Sequence, residues 1–326
     1  MRKLFIPFRD RNTIGGPTTF MANLRGYLDR RGFPYTRNPL FASGIFFPVA
    51  FNRRVIRLIR FFGGKVIQRL DGIYYPSKHG DGYVLKNQAI KDIYSGLADF
   101  VVFQSEYSRK QCFAMLGEKG AGEYGIIVNG ANLDIFHPDE KEISAPKKFI
   151  LATTGNFRNI DMLEPIIKAL DELVGEFDFE FWVIGPISNP ALEGCLAREY
   201  VRHLGPKDKG EVAALLRESD IFIYSHLNPP CPNSVIEAIS SGLPVVGFDS
   251  GSMSELLSFN KELLAPVSDE VFQRYDDFDH RKLAEKIRLA VGGYERFKKT
   301  AMENWRRYDF EECGRKYVEV FERVVR

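Results

Sequence analysis

At 326 residues the chain is long for one core and comfortable for two domains of ordinary size, and 44% apolar with 27% charged residues is a globular composition that excludes a disordered or fibrous chain. Lys plus Arg (45) nearly balances Asp plus Glu (43), so a net charge of +2 gives no overall attraction for a polyanion such as duplex DNA. Four separated cysteines without a CxxC pair read as free thiols of a reducing compartment, and no apolar run approaches the ~18 residues of a spanning helix.

In chain order, apolar runs bounded by turn residues alternate with helical patterns. Strands are predicted over 4–8, 45–49, 65–70, 100–104 and 125–128, and helices over 18–31, 52–62, 86–95 and 105–116. The polar, proline-punctuated segment 137–148 reads as a linker. The alternation then restarts, with strands over 149–153, 180–184, 201–204, 221–224 and 244–248, and helices over 162–174, 191–200, 209–218 and from Asn233. From about residue 281 the pattern is helical only. Two βα series predict an α/β protein with two Rossmann-like domains facing each other across a cleft, their sites at the C-terminal strand ends. The expected division is 1–140, completed by a returning helix over 309–326, and 141–308.

Several constellations can carry chemistry. Gly15-Gly16-Pro17-Thr18-Thr19 joins a strand to a helix start, where backbone approaches closely and unpaired N–H groups face an anion; it is also common punctuation. NPPCPNSVIEA, 228–238, opens a helix at Asn233 and Ser234 behind a stiff proline loop, a second anion site by geometry. Within it Glu237 follows Ser234 by three, the capping-box spacing, so a structural reading competes with a ligand role, and Ser252 and Glu255 repeat the spacing. Arg158 in GNFRN follows the first strand of the second half, where a surface residue and a phosphate clamp are both consistent. Asp71 in RLDG either begins a turn or projects to hold an acceptor. The segment 52–62, NRRVIRLIRFF, sets Arg53, Arg57 and Arg60 on one stripe and Val55, Ile59 and Phe62 on another. That suits a surface helix packed on its sheet, or peripheral membrane contact between Asn52 and Phe62. No His/Cys spacing indicates a metal.

Together these pieces resemble glycosyltransferase family 4, the retaining, nucleotide-sugar-dependent enzymes of the GT-B fold. The strongest part is VRHLGPKDKGEVAALLRESDIFIY with PCPNSVIEAISSGLPVVGFDSGSMSELL; GGPTTFMANL, VFQSEYSRKQC and IIVNGANLDIFHP are weaker echoes. The resemblance implies transfer of a sugar from a nucleoside diphosphate sugar to a hydroxyl acceptor, glycan or lipid-linked, with no cofactor or metal. It puts Glu237 on the donor ribose, the backbone of Asn233, Ser234 and Val235 on the diphosphate, Gly15 and Gly16 beside the reacting sugar, and Arg158 as a diphosphate-binding cation. Two positions depart from the pattern. Pro229 stands where the first glutamate of E-x7-E belongs, which shifts sugar contacts to Asn228 or to backbone groups, and the usual lysine near Arg158 is missing. The alternatives are a GT-B nucleotide-sugar 2-epimerase and a glycosyltransferase-like binding protein; transfer to DNA is disfavoured by the balanced charge. The expected location is cytoplasmic, at most peripheral at the inner membrane face.

Overall fold

The computed structural model describes residues 3–8, 16–120, 122–140, 142–268 and 279–325. The chain divides into two compact units, one formed chiefly by 1–129 with 310–326, the other by 130–271 with 276–309.

The first unit holds six parallel strands: β1 (Leu4–Phe5), β2 (Tyr35–Thr36), β3 (Gly44–Pro48), β4 (Lys65–Leu70), β5 (Phe100–Phe103) and β6 (Tyr124–Ile126). Their order is β2-β1-β3-β4-β5-β6. The connecting helices are α1 (Gly16–Arg30), α2 (Arg53–Phe61), α3 (Pro76–His79), α4 (Tyr83–Gly96) and α5 (Glu106–Leu116). Strands such as FVVF in β5 are buried throughout, as a sheet covered on both faces requires. One face is completed by the chain's final helix, Phe310–Val325. Its buried residues Phe310, Cys313, Gly314, Tyr317, Val320 and Phe321 recur at helical spacing and pack with Phe20, Leu24, Tyr27 and Phe46 in one cluster. Gly314 permits the approach: a Cβ there would lie 2.6 Å from the Tyr27 ring.

The second unit holds β7 (Phe149–Thr154), β8 (Phe179–Ile184), β9 (Val201–Gly205), β10 (Ile221–Tyr224), β11 (Val245–Asp249) and β12 (Leu264–Pro266), in the order β12-β11-β10-β7-β8-β9, all parallel. Around them lie α6 (Glu164–Asp171), α7 (Lys209–Glu218), α8 (Asn233–Ser240), α9 (Met253–Leu256), α10 (His280–Gly292) and α11 (Tyr294–Asn304); the final helix is then α12.

The differences from expectation are local. The helix predicted over 162–174 is a 3-10 turn, Ile160–Met162, followed by the shorter α6, whose first turn carries Pro165. The helix predicted over 191–200 is a 3-10 segment, Pro190–Leu196, which contains Gly194, a poor helix former. Neither predicted capping box forms: α8 has Pro232 as its N-cap and α9 has Ser252, both without a side-chain cap bond. The box forms instead at α7, where Asp208 Oδ1 accepts from the Glu211 N–H and Glu211 Oε2 from the Asp208 N–H, each at 2.9 Å. On α2 the core-facing residues are Ile56 and Ile59, with Val55 only partly covered, and Phe62 is exposed instead of joining the apolar stripe.

Candidate functional site

In the second sheet the chain runs outward in opposite directions from β7, to β8 on one side and β10 on the other. The crevice at such a reversal, outside the C-terminal strand ends, is where open α/β sheets bind ligands. Two loops border it, 155–159 after β7 and 225–232 after β10, and Ser225 Oγ donates to the Asp161 carbonyl at 3.0 Å, tying the two sides together.

The loop after β7 is braced by the one after β8. The Phe157 N–H donates to the Pro186 carbonyl at 3.0 Å, the Ser188 N–H to the Phe157 carbonyl at 2.9 Å, and Ser188 Oγ to Asn156 Oδ1 at 3.0 Å. Gly185 has φ +132°, and a Cβ on it would sit 1.9 Å from the Gly155 carbonyl oxygen. Gly185→Ala is therefore expected to cost about 2 kcal/mol or more and to displace this loop; a denaturant midpoint equal to wild type would show that the two loops can separate freely. On this ridge Phe157 is buried and Arg158 exposed, and the Arg158 guanidinium makes no ion pair or hydrogen bond among the described residues.

After β10 the backbone turns through Asn228, whose φ of +55° is tolerated by asparagine better than by most residues. Asn228 is 4% exposed; its N–H donates to Ser250 Oγ at 2.8 Å, and its Oδ1 accepts from that hydroxyl at 3.3 Å. Pro229 accepts at its carbonyl from the Ser252 N–H at 2.9 Å, and a Cβ on Gly251 would come within 2.4 Å of the proline ring. Pro229 is thus the piece against which the 250–252 turn is built, and the Asn228 side chain serves the same junction.

The proline loop delivers α8 with Pro232 as its N-cap, a residue that supplies no side-chain cap bond. Its first intrahelical bond runs from the Ile236 N–H to the Pro232 carbonyl at 3.2 Å, so the amides of Asn233, Ser234 and Val235 precede the helical ladder and offer the positive end of the helix dipole. One turn on, the Glu237 carboxylate does not fold back on the helix start. It faces Lys209, Oε1 to Nζ 3.9 Å, with only 16% of its side chain exposed. Burial raises the Glu237 pKa to about 7 and the Lys209 ammonium pulls the other way. Lys209 carried no signal in the sequence: it is the first residue of α7, aimed by the Asp208–Glu211 box.

In the first unit Arg69, at 1% exposure, is a buried hub. Its guanidinium pairs with Asp71, donates from Nε to Tyr317 Oη at 3.0 Å and from Nη2 to Asn129 Oδ1 at 2.8 Å, and lies 3.6 Å above the Phe20 ring. Gln104 Nε2 donates to Asp71 Oδ1 at 3.0 Å, while Asp71 Oδ2 is buried with no hydrogen-bond partner among the described residues. Asp71 therefore does not project freely; it is the counter-ion of Arg69 with one oxygen unspent, at the C-terminal end of β4. The first sheet reverses at β1, the strand that precedes α1 in the chain, and α1 begins at Gly16. Gly15 lies outside the described residues. The geometry thus gathers Arg158, Asn228, Asn233, Ser234, Val235 and Glu237 around the β7 and β10 ends of the second unit, and leaves Asp71 and Gly16 in the first.

Residues 148–288 match the family model described as glycosyl transferases group 1. This stretch contains every site residue of the second unit named above. The curated N-acetyl-alpha-D-glucosaminyl L-malate synthase of Bacillus anthracis is 26% identical over 174 residues, 49% of this chain and 44% of that protein, so less than half of the relative is matched. Among solved structures, Anabaena Alr3699/HepE in complex with UDP-glucose superposes with a TM-score of 0.74 at 14% identity, covering 99% of both chains. WaaG, a glycosyltransferase involved in lipopolysaccharide biosynthesis, gives 0.71 at 13%, covering 97% of this chain and 98% of its own. Sucrose-phosphate synthase from Thermosynechococcus elongatus gives 0.68 at 15%, covering 97% and 81%. The two six-stranded parallel sheets have the GT-B fold.

Proposed function

We propose that the chain is a retaining glycosyltransferase that moves a sugar from a nucleoside diphosphate sugar to a hydroxyl acceptor. The observation that carries the reading is the α8 N-terminus beside a mostly buried, inward-held Glu237 at the reversal point of the second sheet, inside the family-matched stretch. Support for the donor class comes from HepE, solved with UDP and with UDP-glucose. In this scheme the ribose hydroxyls donate to Glu237, and the diphosphate lies on the amides of Asn233, Ser234 and Val235. As the bond from the sugar to the diphosphate breaks, negative charge grows on the leaving oxygen, and Arg158 with the helix dipole stabilises it. The scheme calls for no cofactor. With Asn228 spent on Ser250, contacts to the transferred sugar fall to backbone groups of the 228–231 loop. In the first unit the unspent Asp71 Oδ2 is the group we assign to an acceptor hydroxyl.

The test is calorimetric titration of UDP-glucose against pH, with nucleotide release measured over a panel of UDP-, GDP- and dTDP-sugars. Glu237 titrates near 7 in the free protein, and two ribose hydroxyls donate to its ionised form, so affinity rises as pH rises through 7. From pH 6 to 8 the ionised fraction, and with it the association constant, grows about tenfold. Folding responds with the opposite sign. A carboxyl whose pKa is raised on folding stabilises the protein fully at low pH, and that contribution is lost as pH climbs from 4.5 through about 7. Glu237→Gln is expected to bind UDP-glucose more weakly and with a flat pH profile. A variant that binds as tightly as wild type at pH 8 would remove the ribose assignment, and binding without nucleotide release from any donor would make the chain a binding protein.

A further inference from the structure

Helix α2 has a face that the fold does not use. Ile56 and Ile59 seat it on the sheet, while Arg54, Arg57, Leu58 and Phe61, spaced i, i+3, i+4 and i+7, share the opposite side. There Phe61 is 82% exposed and Phe62, just past the helix end, 70%, their rings in edge contact at 5.3 Å. Leu58 is also exposed, and Leu40, on the 3-10 turn Pro39–Phe41 that packs beside α2, is exposed at 67%. Exposed aromatic side chains of this size are not needed for packing, and solvent alone disfavours them.

The charge on the helix is one-signed: Arg53, Arg54, Arg57 and Arg60 with no acid among its nine residues. The neighbouring carboxylates are already engaged, Asp92 by Arg53, and Asp99 by Arg60 and Lys65. Arg54 and Arg57 make no ion pair among the described residues. The outward face therefore joins unneutralised positive charge to bare aromatic surface. A second copy of the chain would set these arginines against their own kind, which opposes a symmetric self-contact. An anionic lipid surface meets both halves: headgroup phosphates for the guanidinium groups, the acyl boundary for the rings.

We propose that this face of α2 docks the first unit on a bilayer containing anionic lipid, with Arg54 and Arg57 at the headgroups and Leu58, Phe61 and Phe62 in the acyl boundary. The contact is peripheral; no helix among the described residues is long and apolar enough to cross a membrane. The proposal is independent of the donor site, because none of its residues lies in the family-matched stretch.

Flotation with vesicles tests it, comparing phosphatidylcholine containing phosphatidylglycerol with phosphatidylcholine alone. The full chain is expected to float with the anionic vesicles only, and less as salt is raised. R54Q/R57Q should weaken binding roughly 30-fold. F61S/F62S should abolish it, and R54K/R57K should retain it. These positions face solvent, so all three variants should melt with wild type. Equal binding to both vesicle types, no binding to either, or R54Q/R57Q or F61S/F62S protein that binds like wild type would each overturn the proposal. So would a dimer in sedimentation that F61S/F62S dissociates, since that outcome gives the face to a second copy.

Discussion

Arg158→Ala is expected to lower kcat about 10²–10³-fold while changing stability by no more than about 0.5 kcal/mol. The two halves of this expectation have one cause. Arg158 is exposed and unpaired among the described residues, so the fold loses little when it goes. Under the proposed chemistry, the charge it meets exists only as the diphosphate departs. An interaction made mainly in the transition state appears in kcat and in kcat/KM alike, whereas uniform binding would appear in KM alone. Lysine at 158 should recover part of the loss, because it supplies charge without the planar fork that grips two phosphate oxygens. With no second cation supplied by the 155–159 loop, the α8 dipole after the neighbouring strand is left as a partial substitute. A kcat near wild type in Arg158→Ala would sink the assignment. Loss of kcat together with a large fall in melting temperature would point to a scaffold role for the loop.

The same loop illustrates what could be read in advance. Strand β4, helix α7 and strand β10 begin and end where periodicity and turn residues put them, because runs such as VIQRL and IFIY have one reasonable burial. Edge strands β2 and β12 carry two and three residues, too few for any periodic signal. Spacing alone did not decide capping: the boxes read at Ser234–Glu237 and Ser252–Glu255 do not form, and the one at Asp208–Glu211, not singled out from the sequence, does. At α8 the proline before Asn233 had already placed the helix start one residue ahead of the predicted serine cap. That shift frees Glu237 for Lys209, 28 residues earlier in the chain, a pairing that depends on how α7 and α8 pack and has no mark in either segment alone. The apolar side of α2 was misread because Phe62 lies beyond its last turn, where helical phase no longer decides which way a side chain points.

Arg69→Met is expected to destabilise the first unit by about 3–5 kcal/mol, the largest stability loss we anticipate from a single substitution. The magnitude follows from what remains behind. Met fills much of the volume above Phe20, but Asp71 keeps a buried charge with no counter-ion, and Asn129 and Tyr317 each lose a partner. Removing the charge as well, in Arg69→Met/Asp71→Asn, should recover more than half of the loss, since a neutral amide can still accept from Gln104. The elements joined here are β4, the end of β5, residue 129 and α12, which come together from positions as far apart as 69 and 317. Hydrogen exchange at the β4 and β5 amides reads the effect in the first unit directly, without assuming that both units unfold together. If Arg69→Met costs under about 1 kcal/mol, the pair is not an obligate one. The double variant also separates two roles of Asp71: a stable protein whose acceptor KM or kcat is still impaired would leave the carboxylate's unspent oxygen, not its pairing with Arg69, as the functional part.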